Sequence, residues 1–507
     1  MSFLSSTFSD VLTLDPTADL IEFNETWYDR GAFRDVVETV AAQLHALGLG
    51  EDTRIGILKR NHPDPFAAII SVICMDGVIV SINSMLPDDK LNADISTLEL
   101  PVVIGLRDDL ERPGVLASLK ASGTAVIELE PTLKGAALLD GFSQYDPSLV
   151  RMSSPGVFIE MLTSGTTGKP KRIPLKRDAY ADSFKSAMSY EKGRAPEDPP
   201  KIRSGLQMVV SPLSHIGGLW GALSSFAAGR RICLLEKFSV ENWCGAVVRH
   251  RPKVAGAVPA ALRMILDANV PKEDLRSLVA VRTGTQPLDP ATAIEFLDRY
   301  DIAVLQNYGA TEFAGAVAGW SIEDFREYFR AKPDSVGRFQ PGVEGRIVDA
   351  DTGDALAVGE EGVLELKARQ FGNNGQWLRT TDRAKIDQDG FLYILGRTDN
   401  AILRGGFKVH PDEVVSVLER HPSIREAVVV GRADRRLGAV PVAAIMLKSG
   451  MKAPADSELR AFAREHLTAY QVPVEFVVVD DVPRTTSMKP ALPLVRDMLE
   501  EKLAKIA

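Results

Sequence analysis

Apolar side chains recur at helical spacing between Asp29 and Gly48. Phe33, Val36, Val37, Val40, Ala41, Leu44 and Leu47 share one face, and Gly48 supplies a stop. The period then shortens. Arg54-Ile55-Gly56-Ile57-Leu58 reads as a buried strand, residues 65–76 as a helix ended by Gly77, and Val78-Ile79-Val80-Ser81-Ile82 as the next strand. Val102-Val103-Ile104 and Ala125-Val126-Ile127 add two more. Apolar strands alternating with helices predict an α/β fold with largely parallel sheets.

The stretch 182–204 is polar and contains prolines, and reads as a mobile connection around 194–201. Strand patterns then return at 207–210, 231–235, 254–258, 279–282 and 303–307. Several run into polar, glycine-containing loops: Ser214-His215-Ile216-Gly217-Gly218, Thr283-Gly284-Thr285-Gln286-Pro287 and Tyr308-Gly309-Ala310-Thr311-Glu312. Ligands of open α/β sheets bind outside such carboxyl ends of strands. After about residue 335 the strands are short and alternating, at 345–349, 362–367 and 391–395. They predict an antiparallel sheet or small barrel. Beyond a break at 396–400 the pattern reads helix 411–420, strands 427–430 and 440–447, helix 457–467 and strand 475–479. That is an α+β unit of about 100 residues, an ordinary domain size.

The expected architecture is therefore α/β. A large N-terminal domain over 1–396, of α/β subdomains plus a small barrel, precedes a small α+β C-terminal domain over 401–507. The length of 507 residues agrees, since it implies about three domains or subdomains. A net charge of -9 argues against general nucleic-acid binding, so an anionic ligand needs a local positive site. Cys74, Cys233 and Cys244 have no paired ligand spacing and fit a reducing compartment, each as a small buried apolar residue. Neither a signal-peptide pattern nor an apolar run of about 18 residues is present, so a cytoplasmic enzyme with no membrane span is expected.

Candidate chemistry concentrates in Thr163-Ser164-Gly165-Thr166-Thr167-Gly168-Lys169-Pro170-Lys171, which follows the apolar run 157–162. Glycines let backbone N–H groups close around an anion, and the hydroxyls and lysines add donors and charge. A polyphosphate clamp is one reading, and a plain surface loop is the other. The spacing is not that of the common P-loop, and Pro170 stands where that motif has a metal-binding hydroxyl. A metal would need a ligand elsewhere.

Four further motifs join this loop: Tyr308-Gly309-Ala310-Thr311-Glu312, Thr381-Asp382, Gly396-Arg397-Thr398-Asp399, and Pro483-Arg484-Thr485-Thr486-Ser487-Met488-Lys489. In this order the chain resembles, over nearly its whole length, the adenylate-forming superfamily. That group includes acyl- and aryl-CoA synthetases, non-ribosomal peptide adenylation domains and luciferases. The resemblance implies an ATP- and Mg²⁺-dependent carboxylic acid–CoA ligase. The acid attacks the α-phosphorus of ATP, releasing pyrophosphate, and the thiol of CoA then takes the acyl group.

By the same resemblance, Thr163, Ser164, Gly165, Thr166, Thr167, Gly168 and Lys169 hold the β- and γ-phosphates. Glu312 holds Mg²⁺, Thr311 the α-phosphate, and Gly284, Thr285, Gln286, Pro287 and Tyr308 the adenine, with Asn307 at its amino group. Gly309 and Ala310 line the nucleotide as well. Asp382 accepts from the ribose hydroxyls, with Arg397 beside it. Lys489 orients the carboxylate and α-phosphate. The C-terminal domain is implied to be mobile, turning about a hinge at 397–400 with Asp399 at its centre. That rotation withdraws Lys489 and brings Gly405 and Gly406 to the thiol, and Lys408 is a candidate contact in the first state.

The acid pocket is implied around His215, Val258, Pro259, Ala260, Gly284, Gly309, Ala310, Phe313, Ala314 and Gly315, where His215 gates acid or thiol. Small and apolar residues there suit an aromatic or medium-chain acid. Residues 211–223 contain no Asp or Glu, which argues against an amino-acid substrate, whose ammonium would need a partner. No carrier-protein domain follows, which favours CoA. The alternatives are a stand-alone aryl-acid adenylating enzyme that loads a carrier protein, or a non-catalytic nucleotide-binding homologue. Monomer and homodimer both remain open. Three positions depart from the family pattern. Thr381 and Met488 stand where glycine is common, and Gly405 stands where coumarate ligases and luciferases have lysine.

Overall fold

The computed structural model describes residues 1–150, 155–163, 171–189, 198–371, 375–485 and 488–506. At its centre is a seven-stranded sheet, in the order Gly135–Leu138, Ala125–Glu130, Val102–Leu106, Arg54–Lys59, Val78–Asn83, Val157–Thr163 and Lys171–Lys176. Inner pairings are parallel and the two edge strands are antiparallel. Both faces are covered, which explains the unbroken apolar runs. Helices Arg30–Ala46 and Pro63–Cys74 lie on one face, and Asp88–Ser96 and Val115–Ala121 on the other. The first of these helices starts where its sequence says it should. The Asp29 carboxylate accepts from the Ala32 N–H at 2.7 Å, and Gly48, at φ 73°, ends the helix in the left-handed region.

A four-stranded sheet orders Leu206–Val209, Arg231–Leu234, Asp19–Phe23 and Thr26–Asp29. Its N-terminal hairpin was not evident from the pattern. Cys233 is not simply an apolar filler there. It pairs in register with Glu22, whose buried carboxylate also takes Arg249 at 3.2 Å and His250. A five-stranded sheet orders Val254–Gly256, Ala280–Thr283, Ala303–Ala310, Gly315–Gly319 and Arg338–Phe339. The polar stretch from 182 is more ordered than its composition suggests, since helix Arg177–Ser189 runs into it. The expected connection at 194–201 lies partly outside the described residues.

The antiparallel part consists of Glu344–Val348, Gly362–Lys367, Leu378–Ile386 and Leu392–Arg397 in that order. Strand Leu378–Ile386 escaped the pattern because Arg379, Thr380, Thr381, Asp382 and Arg383 interrupt its apolar face. Beyond Arg397 the apolar clusters draw only on residues from Ile402 onward. There the hairpin Ile402–Arg404 and Phe407–Val409 joins Ile424–Asp434, Gly438–Leu447 and Glu475–Val478. Helices Pro411–Leu418, Asp456–His466 and Leu492–Ile506 cover it. The hairpin and the last helix add to the elements read from sequence. Among the described residues, no helix is long and apolar enough to cross a membrane.

Candidate active site

Strand Ala303–Ala310 leaves its sheet through a 3-10 turn, Thr311–Phe313, and returns antiparallel as Gly315–Gly319. Tyr308-Gly309-Ala310-Thr311-Glu312 is thus a hairpin tip beyond a strand's carboxyl end. A Cβ on Gly309 would lie 2.3 Å from the Gly315 carbonyl oxygen, so only glycine lets these strands approach. Gly309 therefore serves the hairpin's own packing. Ala314 closes the turn at φ 55° and is buried in the core, while Gly315 has open space before it. Thr311 is half-buried. Glu312 is exposed and makes no hydrogen bond or ion pair among the described residues.

The Tyr308 hydroxyl donates to Asp382. Asp382 stands directly across from Arg397 on the neighbouring antiparallel strand. Burial pushes the Asp382 carboxyl above its ordinary range, although the Tyr308 hydrogen bond and the Arg397 charge pull it down. Arg397 donates through Nε and Nη2 to both Asp399 oxygens, at 2.8 and 2.7 Å, and through Nη2 to the Thr381 hydroxyl at 2.6 Å. Thr381, one of the three departures, keeps a negative φ, so its branched side chain sits without strain and helps aim Arg397.

Lys489 reaches this cluster from the C-terminal domain. Burial and the Arg397 charge lower its ammonium below the ordinary range, and Glu312 offsets them in part. His215 caps helix Ile216–Ala227 at its N-terminus. Burial, then the Lys489 charge, push its imidazole down to about 4, so it is neutral near pH 7. Lys489 therefore lies within the fields of Glu312, Arg397 and His215, and Arg397 within that of Glu312. Met488, the second departure, has φ 62° and occupies the left-handed conformation that glycine would take freely. The turn is fixed around it: the Thr485 N–H donates to the Lys489 oxygen at 2.7 Å, and the Met488 N–H to the Thr485 oxygen at 2.8 Å. Arg484 braces the turn, donating to Glu426 at 2.7 Å and to the Met488 oxygen at 3.3 Å. A second tie between the domains is Arg383, which donates to Glu413 at 2.6 Å.

Two regions of this sequence match known family patterns. Residues 13–371 match AMP-binding enzyme, and residues 413–489 match the AMP-binding enzyme C-terminal domain. The chain belongs to the AMP-binding enzyme family. It is similar to a 2-succinylbenzoate–CoA ligase of Bacillus velezensis, at 30% identity over 67% of this chain and 68% of that one. It is also similar to an indoleacetate–CoA ligase of Aromatoleum aromaticum, at 27% identity over 96% of each. In fold it is similar to the ATP-bound MatB of Rhodopseudomonas palustris, with a TM-score of 0.80, 22% identity and 99% of each chain covered. The resemblance to adenylate-forming acyl- and aryl-CoA synthetases is borne out.

Within this AMP-binding enzyme the other sequence-selected residues fall as follows. The Gly284 backbone passes so close to Asn307 that a Cβ would lie 2.3 Å from its Oδ1, so any larger residue would displace the Asn307 side chain. Thr285 has φ 72°, a strained conformation for a β-branched residue, and leads into Gln286 and Pro287. Val258 caps helix Pro259–Asp267 and Pro259 is its first residue. Gly405 and Gly406 both have positive φ and form the exposed tip of a hairpin, as a two-residue primed turn requires. No described hydrogen bond or ion pair joins them, or Lys408, to the cluster. Thr163 ends its strand. Ser164, Gly165, Thr166, Thr167, Gly168 and Lys169 lie outside the described residues. Sequence reasoning missed Thr381's support of Arg397, the Arg383–Glu413 tie, and Trp220, which packs on Tyr180 and Phe184 one turn past His215.

Proposed function

We propose that this enzyme is an ATP-dependent carboxylic acid–CoA ligase that forms an acyl-adenylate and pyrophosphate, then an acyl-CoA thioester. The observation that carries the proposal is the meeting of Lys489 with Glu312, Arg397 and His215. It is the arrangement a first, adenylating half-reaction needs. Nucleotidyl transfer depends mainly on positioning and charge stabilisation. Asp382, an acceptor-only carboxylate, suits a ribose diol, and the Tyr308 hydrogen bond fixes its orientation. Lys489 brings a positive charge to the carboxylate and α-phosphate as negative charge builds up. Removing such a donor costs about 10²–10³ in rate. His215, being neutral, adds no second positive charge beside Lys489 and leaves an uncharged surface for an apolar acid.

Mg²⁺ fits Glu312, an exposed hard oxygen donor with no competing partner among the described residues. Bound there, it would neutralise charge on the phosphates. The motif at 163–169 is proposed to hold the leaving pyrophosphate, Thr311 the α-phosphate, and Gly284, Thr285, Gln286 and Pro287 the adenine. The tie from Arg383 to Glu413 supports a C-terminal domain seated for adenylation, with 397–400 as the hinge and Gly405 and Gly406 turned away until the second step.

The proposed acid is aromatic. The two CoA ligases named above carry aromatic acids in their names, and a Cβ added at Gly315 would meet nothing within 4 Å, leaving room beside the proposed pocket. A panel of benzoates, arylacetates, cinnamates and C4–C12 fatty acids, scored for thioester with CoA, tests this. Thioester with an aryl acid is expected. Turnover only with a phosphopantetheinylated carrier protein would favour the carrier-loading alternative.

A further inference from the structure

Glu22 and Cys233 stand opposite each other, in register, on the parallel strands Asp19–Phe23 and Arg231–Leu234. Side chains at such positions point to the same face of a sheet, and both of these are buried. Helix Val240–His250 packs there, since its Trp243, Ala246 and Val247 share an apolar cluster with Cys233. The helix is fixed at both ends. Ser239 caps its first turn, and Arg251 closes it at φ 47°. Its last residue, His250, thereby reaches Glu22, and the Trp27 ring meets the imidazole edge to face with 5.8 Å between centroids. One ligand atom from each of Glu22, Cys233 and His250 lies within 4.8 Å of the other two. The chain has 68 acidic residues and 7 histidines, yet among the described residues no other three His, Cys, Asp or Glu side chains converge in this way.

The chemistry of the cluster points to a metal and away from a nucleophile. Burial first, and then Glu22, push the Cys233 thiol above its ordinary range, so no reactive thiolate stands free. The two Glu22 oxygens are divided between partners. Oε1 accepts from Arg249 at 3.2 Å, and Oε2 faces the His250 Nε2. Arg249 is itself paired with Glu25 at 2.8 Å, so it orients the carboxylate from outside, as the outer partner of a ligating carboxylate does. Burial alone would raise the Glu22 carboxyl, but His250, Cys233 and Arg249 hold it at about 2, and it is anionic near pH 7. Metal bonds of about 2.0–2.3 Å at tetrahedral angles place ligand atoms about 3.5 Å apart, a spacing this cluster reaches by small turns of its side chains. His250 is partly exposed, which gives an ion its entry and leaves a fourth position for water. Well-packed apolar side chains would cover the same face at lower cost.

We propose that Glu22, Cys233 and His250 form a binding site for one divalent cation of the zinc type, which ties the N-terminal strand to its sheet and to helix Val240–His250. Sulfur, nitrogen and oxygen ligands in a four-coordinate set favour zinc over Mg²⁺, which takes six oxygens. As the sulfur–metal bond forms, the Cys233 thiol gives its proton to solvent, and the imidazole binds neutral with its proton on Nδ1. The site shares no residue with the cluster around Lys489, so it stands or falls independently of the ligase reading.

Titration of the untagged full chain, Cys233→Ser and His250→Gln with Zn²⁺ and with Co²⁺, after a chelator has stripped each protein, tests it. The wild type should bind one Zn²⁺ per chain and gain about 2 °C or more in melting midpoint. Co²⁺ should give the strong visible bands of a tetrahedral site together with a near-ultraviolet sulfur-to-cobalt charge-transfer band. Cys233→Ser should lose the charge-transfer band, and both variants should bind Zn²⁺ at least about 100-fold more weakly. Mg²⁺ should produce none of these changes. Circular dichroism of the stripped proteins checks folding, and Cys233→Ala gives the same comparison if Cys233→Ser does not fold. Absence of stoichiometric Zn²⁺ binding, a cobalt spectrum without the sulfur band, or equal affinity in wild type and variants overturns the proposal.

Discussion

The phenol of Tyr308 donates its hydrogen bond to Asp382, across the gap between the five-stranded sheet and the antiparallel sheet. The proposed adenine wall and the proposed ribose acceptor are thereby locked to each other before any nucleotide binds. Asp382→Asn should raise the KM for ATP at least about tenfold, since one acceptor oxygen becomes a donor. Tyr308→Phe removes a pull that lowers the Asp382 carboxyl, so this group should titrate higher still. The acid limb of kcat/KM for ATP should then move to higher pH, which a pH–rate profile reads directly. An unmoved limb would mean that Asp382 is not the group titrating.

The neutral imidazole of His215 carries a second prediction. Its folded value of about 4 lies below the ordinary 6.5, so the unfolded chain binds a proton that the folded one refuses. Its contribution to stability is therefore fully present above pH 6.5 and declines as the pH falls toward 4. Imidazole NMR signals should show His215 not titrating between pH 5.5 and 8. In Lys489→Ala, with the neighbouring positive charge gone, its midpoint should rise.

Met488 holds the left-handed conformation at a cost of about 1–2 kcal/mol. Met488→Gly relieves that cost but frees the unfolded chain, so melting temperature should change little. Acid-dependent pyrophosphate exchange should stay within about twofold of wild type. Met488→Val, branched at a position with φ 62°, should lower exchange at least about tenfold. Full activity in the valine variant would show that the turn does not need this backbone to present Lys489.

Arg383 and Glu413 hold the two domains together beside the proposed ribose site, and Gln471 steadies the other Glu413 oxygen at 2.8 Å. Arg383→Ala should slow exchange by up to about fivefold, as expected for a partly exposed pair worth up to about 1 kcal/mol. Thioester formation from a supplied acyl-adenylate should be unchanged or faster, because the other domain orientation becomes easier to reach. Equal losses in both half-reactions would assign the pair to general stability.

Much of the candidate site is legible because the motifs proposed to carry the chemistry are short and lie at strand ends. Glu312, Asp382, Arg397 and Lys489 were each visible as charges in a fixed local context. Helix Arg30–Ala46 was visible because its cap, apolar face and glycine stop agree. What escaped depends on partners distant in sequence. Glu413 gives no sign of Arg383, and Thr381, a departure from the family pattern, gives none of its support for Arg397. Lys59 looks like an ordinary charged strand end until the sheet closes over it. Strand Leu378–Ile386 was hidden because the site's own polar residues break its alternation.

The central claim is that Lys489 drives the adenylating half-reaction from the C-terminal domain. The most direct measurement is aryl-acid-dependent exchange of labelled pyrophosphate into ATP by the wild type and Lys489→Ala, with acyl transfer from synthetic acyl-adenylate to CoA measured in parallel. Exchange should fall at least about 100-fold in the variant while acyl transfer persists. Exchange at the wild-type rate in Lys489→Ala would contradict the account.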